Sequence, residues 1–104
     1  MKIITPGHRY VLDGFEKPDE NRQILQFIHK ESDKSDPTKL VTLSDGTTNE
    51  EVISALIDRL KYLDEKFPCR ENYLAIKGMQ MALDSLEERT RNRLNRGVEG
   101  KNVK

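Results

Sequence analysis

The sequence predicts an α+β protein, a small N-terminal antiparallel sheet packed on a C-terminal antiparallel two-helix hairpin. Three observations lead there. Short apolar runs, separated by clusters of Gly, Pro, Asp and Ser, fill residues 1–47. Two long stretches with helical apolar spacing fill residues 48–96, broken once at Phe67-Pro68-Cys69-Arg70. Strand signals followed by helix signals, without alternation, indicate α+β and not α/β. No internal repeat, low-complexity run or long linker divides the chain, so residues 1–104 are expected to form a single domain. Its parts are a β-rich segment (1–47), a helical hairpin (48–96) and a tail (97–104).

In the β-rich segment, Arg9-Tyr10-Val11-Leu12-Asp13 reads as a strand, with Gly14 as a bulge or turn after it. Phe15-Glu16-Lys17-Pro18-Asp19 leads into a polar loop. Residues 23–30 carry the strongest strand signal: Leu25 and Phe27 point to one face, Ile24 and Ile28 to the other. Apolar residues on both faces predict a central strand, covered on both sides. Residues 32–37 are a loop by composition, and Lys39-Leu40-Val41-Thr42-Leu43 is a third strand. Short sequential connections favour antiparallel pairing. The apolar start Met1-Lys2-Ile3-Ile4 is too short for a membrane span or a secretory signal.

The hairpin has clear punctuation. Ser44-Asp45-Gly46-Thr47 is turn chemistry; Thr48 with Glu51 three residues on forms a capping box, and Glu50 and Glu51 suit the positive end of a helix dipole. Val52, Ile53, Leu56, Ile57, Leu60, Leu63 and Phe67 recur at helical spacing. Pro68 ends the run, because the residue before a proline is driven out of the helical region. The second helix opens near residues 69–71 with a stripe of Ala75, Ile76, Met79, Ala82, Leu83, Leu86 and Leu94, and Gly97 is its stop signal. So short a connection makes the helices antiparallel neighbours. The tail after Gly97 is expected to be mobile unless a partner orders it.

Composition narrows the function classes. Hydrophobic and charged residues each make up 35% of the chain, so the core that one copy buries is thin, and a homo-oligomer is favoured over a monomer. Lys and Arg balance Asp and Glu at a net charge of zero, which argues against a duplex nucleic-acid binder. The single Cys69 excludes an intramolecular disulfide and fits a reducing cytoplasm.

Catalytic and metal-binding patterns are missing from the sequence: no nucleophile elbow, no phosphate loop and no ligand cluster with metal spacing. His8 and His29 read as structural or exposed histidines. Cys69 beside Arg70 reads as a small helix-start residue and not as a reactive thiol, since no histidine stands at a partnering spacing. The run Arg89-Thr90-Arg91-Asn92-Arg93-Leu94-Asn95-Arg96 holds four arginines and no acid. Arg89, Arg93 and Arg96 project on one narrow row at the border of the apolar stripe, and Arg91 points elsewhere. Such a row covers a core edge, complements a helix C-terminus or clamps phosphate, and sequence alone leaves all three open. Tyr62 projects opposite the stripe of its helix, as a surface aromatic or a contact point. Asn72 projects onto the apolar line near the turn, where a locally satisfied polar group is the ordinary reading.

These residues resemble a known family. Asp45-Gly46-Thr47-Thr48-Asn49-Glu50-Glu51-Val52, Leu56-Ile57-Asp58-Arg59-Leu60, Lys66-Phe67-Pro68-Cys69-Arg70-Glu71-Asn72, Glu88-Arg89-Thr90-Arg91-Asn92-Arg93 and Arg96-Gly97-Val98-Glu99-Gly100 are similar to the phage anti-Thoeris sponge proteins, the first Thoeris anti-defence family. The hairpin also resembles that of the phage anti-CBASS sponge. Over residues 1–40 only the strand-rich character agrees. The resemblance implies a non-enzymatic protein without cofactor or metal, working in the cytoplasm of an infected bacterial host. It implies binding and sequestration of cyclic ADP-ribose isomers made by TIR-domain enzymes. Some members also hold cyclic di- or trinucleotides of CBASS defence at separate sites, as assemblies from dimer up to hexamer. The family's pocket lies between subunits. By position its stacking aromatic is Tyr62, where members also carry phenylalanine, its polar base or ribose contact is Asn72, and its phosphate-binding arginines are Arg89 and Arg93. A further arginine from the sheet region is expected, with Arg9 the candidate.

The residue types suit that ligand. Arginine forks match pyrophosphate oxygens and stay charged, and an aromatic platform contributes about 1–3 kcal/mol per stacked base. Geometry adds a constraint. Arg89 stands seventeen positions beyond Asn72 on one helix, about 25 Å along its axis. One small ligand cannot touch both in a single chain, so a pocket using all of these residues needs two chains packed turn against open end. The alternatives are a structural or adaptor module using the hairpin for protein contacts, and a nucleic-acid accessory protein using residues 89–96 as a phosphate clamp.

Overall fold

Five strands and then two helices follow one another in a computed structural model of the protein, which describes residues 1–98 and 101. The strands are β1 (Lys2–Thr5), β2 (Arg9–Leu12), β3 (Gln23–Gln26), β4 (His29–Ser32) and β5 (Leu40–Ser44). The helices are α1 (Asn49–Lys66) and α2 (Arg70–Asn95). The chain divides into two units, with the boundary between Thr48 and Asn49. The α+β class, strands first and hairpin second, is the one the sequence predicts.

The first unit holds two antiparallel sheets where one was expected. β1, β2 and β3 form the larger, in that order, with Tyr10 of β2 opposite Ile3 and Leu25. β4 and β5 form the smaller. The sequence reading assigns no strand to residues 2–5, yet the signal for one is present. Thr5-Pro6-Gly7-His8 is a type II turn: the His8 N–H donates to the Thr5 carbonyl at 2.9 Å, and Gly7 has φ +79°. Proline presets the first central position, and a positive φ at the second favours glycine.

Residues 23–30 are not one central strand. The central strand of the larger sheet is β2, and the run breaks at Phe27 and Ile28. Their amides turn to new partners: Phe27 N–H donates to the His8 carbonyl (2.7 Å) and Ile28 N–H to the Thr47 carbonyl (2.9 Å). Thr47 N–H in turn donates to the Gln26 carbonyl (2.8 Å), giving a short parallel bridge beside the end of β3. Gly46 makes this approach possible, because a Cβ there would sit 2.5 Å from the Gln26 carbonyl oxygen. Backbone sits where a side chain would need room. β3 is an edge strand of its sheet, and Ile24 on it is 57% exposed.

Rings and carboxylates finish this unit. His8 and His29 stack face to face, and Tyr10 meets Phe27 edge-on with centroids 6.0 Å apart. The 13–22 loop is laced by charge: Asp13 pairs with the Met1 ammonium at 2.8 Å, and Arg22 pairs with Asp19 at 2.6 Å and donates to the Pro18 carbonyl. The hydrogen bond from that ammonium holds the Asp13 carboxyl below its ordinary pKa. In the β4–β5 loop, Asp33 accepts from the Ser35 hydroxyl (2.7 Å) and the Ser35 N–H (2.8 Å), which lower its pKa in the same way.

The second unit is the helical hairpin. Thr48 directly precedes α1, with Glu50 and Glu51 in its first turn, and α1 ends two residues before Pro68. Cys69 caps α2 in an extended conformation without a side-chain cap bond. Two other bonds close the turn: Cys69 N–H donates to Asp64 Oδ1 (3.2 Å), and Asn72 Nδ2 donates to the Phe67 carbonyl (3.4 Å).

The shielded positions of α2 are Asn72, Ile76, Met79, Leu83, Leu86, Thr90 and Arg93, spaced four, three, four, three, four and three apart. Those of α1 include Glu50, Ile53, Ile57, Leu60 and Asp64, again three and four apart. This is the narrow seam of an antiparallel pair. Among the described residues only Ile57 and Leu83 are buried apolar side chains. The apolar stripe read from sequence is too broad. Phe67 (81% exposed) and Leu94 (59%) lie outside the shielded seam, and Ala75 and Ala82 face solvent. Among the described residues, no helix is long and apolar enough to cross a membrane.

Candidate functional site

Helix length separates the candidate residues. α1 has 18 residues and α2 has 26, so the last turns of α2 run past the start of α1 by about 12 Å at 1.5 Å per residue. All four arginines of the basic run lie in or just beyond this overhang. Arg89, Arg91 and Arg96 are exposed, and Arg93 is buried with 6% of its surface accessible. Amphipathicity inverts here: Thr90 and Arg93 take the shielded seam positions, and Leu94 faces out. A buried charge persists only when it is paired or hydrogen-bonded. The Arg93 guanidinium Nη2 donates to the Val98 carbonyl at 3.0 Å and the Lys101 carbonyl at 2.8 Å.

The end of α2 is built to return the chain toward Arg93. Gly97 has φ +69°. Gly97 N–H donates to the Leu94 carbonyl and Val98 N–H to the Arg93 carbonyl, each at 3.0 Å. These are the paired bonds of a Schellman motif, with glycine at the left-handed position. Of the tail, residues 99, 100 and 102–104 lie outside the described residues, so the expected mobility concerns only Val98 and Lys101 here. Both are held by hydrogen bonds.

Tyr62 and Asn72 belong to the opposite end of the hairpin. Tyr62 is 57% exposed on α1, and the Lys66 ammonium stands 4.5 Å from its ring centroid. Asn72 is half-buried, and its Nδ2 is engaged with Phe67; its Oδ1 is an acceptor. Since α2 runs without interruption from Arg70 to Asn95, the long separation of Asn72 from Arg89 holds in the structure. One chain therefore brings Tyr62 and Asn72 to the turn end and Arg89 and Arg93 to the open end, and does not unite the two pairs. Arg9, exposed at the start of β2, lies in the first unit opposite Gln26 and Thr5.

Sequence reasoning missed two features. The backbone carbonyls of Val98 and Lys101 cannot be seen as acceptors without the turn that aims them, although Gly97 signals that turn. The His8–His29 stack joins rings from different elements and has no local signature.

No family model matches the chain. It is similar to Thoeris anti-defense 1 of Bacillus phage SBSphiJ7, with 44% identity over 62 residues, 59% of this chain. The matched segment spans 44% of that relative's length. This similarity supports the resemblance drawn from the sequence.

Proposed function

We propose that this chain is a phage anti-Thoeris protein that binds and sequesters cyclic ADP-ribose signals made by bacterial TIR enzymes, without degrading them. The observation that carries the reading is the 44% identity to a phage protein named for anti-Thoeris defence. The division of the candidate residues between the two ends of one hairpin supports a pocket shared by two copies. Arginines from the open end of one copy meet the pyrophosphate. Tyr62 and Asn72 from the turn end of the other take the base and ribose. Such an assembly gives two equivalent pockets per two-fold dimer. Several contacts of this kind suffice for nanomolar binding, which needs about −12 kcal/mol. The protein acts in the cytoplasm of the infected host, where the signal is made. Binding of cyclic di- or trinucleotides at separate sites is a further part of the reading.

The test is heat release. Purified protein is mixed with the products of a TIR enzyme, unbound material is removed, and the protein is boiled. Intact cyclic ADP-ribose near one molecule per pocket is the expected result by mass spectrometry. Cleaved product accumulating with time identifies an enzyme instead, and no bound nucleotide at micromolar protein rejects the reading.

A further inference from the structure

We propose that Lys66 is a positioning residue for the stacking platform: its ammonium covers one face of the Tyr62 ring, and the base of the ligand takes the other. The ligand half of this inference rests on the reading under Proposed function; the pairing of Lys66 with Tyr62 does not.

Tyr62 and Lys66 stand four positions apart on α1, so their side chains are neighbours on one face of the helix. The Lys66 ammonium lies 4.5 Å from the Tyr62 ring centroid. That is within the span of about 6 Å over which the negative face of an aromatic ring holds a cation. Lys66 also closes the last turn of α1, where exposed carbonyls favour positive charge. Among the described residues no carboxylate pairs with it. Asp64, two positions before it, accepts instead from the Cys69 N–H.

A second pair with the same spacing gives the contrast. On α2 the Lys77 ammonium is 5.7 Å from the Tyr73 centroid and donates to the Tyr73 hydroxyl at 3.4 Å. That cation sits toward the phenolic edge. Lys66 is nearer to its ring, and no hydrogen bond joins it to the Tyr62 hydroxyl.

A cation in this place favours stacking in two ways. It narrows the freedom of the Tyr62 side chain before binding, so less is lost on binding. It also offsets the negative charge of the ring face, which otherwise repels the electron-rich face of a purine. Tyr62 keeps 57% of its surface accessible beside the ammonium, enough for a base to reach the ring.

The first readout is NMR of the protein without ligand. The ε-methylene protons of Lys66 are expected upfield of an ordinary lysine, shifted by the ring current of Tyr62, and Tyr62→Leu should return them. An ordinary position in the parent overturns the pairing. The second readout is calorimetric affinity for cyclic ADP-ribose. Both side chains are exposed, so the variants should keep the fold, as circular dichroism can verify. Lys66→Met is expected to weaken binding about two- to fivefold, the range of an exposed cation–π contact, and Lys66→Arg to restore it. In a Tyr62→Leu background Lys66→Met should change nothing further, because it acts through the ring. The same loss in both backgrounds makes Lys66 a direct contact to the anion and overturns the positioning role. Lys77→Met should bind like the parent; a loss equal to that of Lys66→Met shows an effect of overall charge and also overturns the role. Parent-like affinity in Lys66→Met rejects the role while the functional reading stands. If the parent binds no cyclic ADP-ribose, the functional reading and the positioning role fall together, and NMR alone decides the pairing.

Discussion

His8 and His29 lie face to face, with ring centroids 3.7 Å apart and planes within 9° of parallel. His8 closes the β1–β2 turn and His29 opens β4, so the stack ties the three-stranded sheet to the two-stranded one. His29 Nε2 also bonds Glu31 Oε1 at 2.8 Å. His8→Ala is expected to cost about 1 kcal/mol of stability, within the range measured for aromatic pairs. His29→Phe keeps a ring over His8 and should cost less than His29→Ala. Thermal denaturation of the three variants reads the order; identical melting of all three with the parent removes the stack from the account of stability.

The narrow seam of the hairpin makes a second prediction, in which two leucines of one helix differ. Leu83 is buried and Leu94 is exposed. Leu83→Ala should cost about 2–5 kcal/mol through lost burial and a residual cavity. Leu94→Ala should change stability by about 0.5 kcal/mol or less. Urea titration of both variants decides between this seam and the wider stripe, for which both leucines would matter.

Acidification should act through Asp33. The hydrogen bonds from Ser35 lower its pKa in the folded state. A carboxylate depressed in this way adds stability above its unfolded pKa, and that contribution is lost as pH falls through the folded value. The window therefore opens below the ordinary value of 3.8. Carbon-detected NMR of the Asp33 carboxyl should give a midpoint below that value, and Ser35→Ala should move it upward. A midpoint unchanged in Ser35→Ala would falsify the assigned cause.

The proposed sharing of a pocket between copies predicts complementation. Tyr62→Ala should lose about 1–3 kcal/mol of binding with its stacking face, and Tyr62→Phe should retain most of it. Arg89→Ala should also lose binding with the fold intact. An equal mixture of Tyr62→Ala and Arg89→Ala, allowed to exchange subunits, should regain parent-like affinity in about one pocket in four, since half of the two-fold dimers are mixed and each has one intact pocket. Calorimetry that finds no high-affinity fraction after exchange means that these residues do not share a pocket across copies.

Features that depend on near neighbours in the chain are legible in the sequence. The bounds of α1 follow from turn and capping residues before it and from Pro68 after it. Gly97 stops α2, and Pro6-Gly7 is a local signal for the turn between β1 and β2. The long separation of Asn72 from Arg89 also needed no more than an unbroken helix. Tertiary structure decided what depends on distant partners. Whether residues 23–30 make one strand or two turns on Thr47, brought alongside through Gly46. Which of Arg93 and Leu94 is shielded depends on the overhang of α2 beyond α1 and on carbonyls returned by the turn at Gly97. Helical periodicity records how apolar a face is; it does not record what lies opposite that face, and burial is set by what lies opposite.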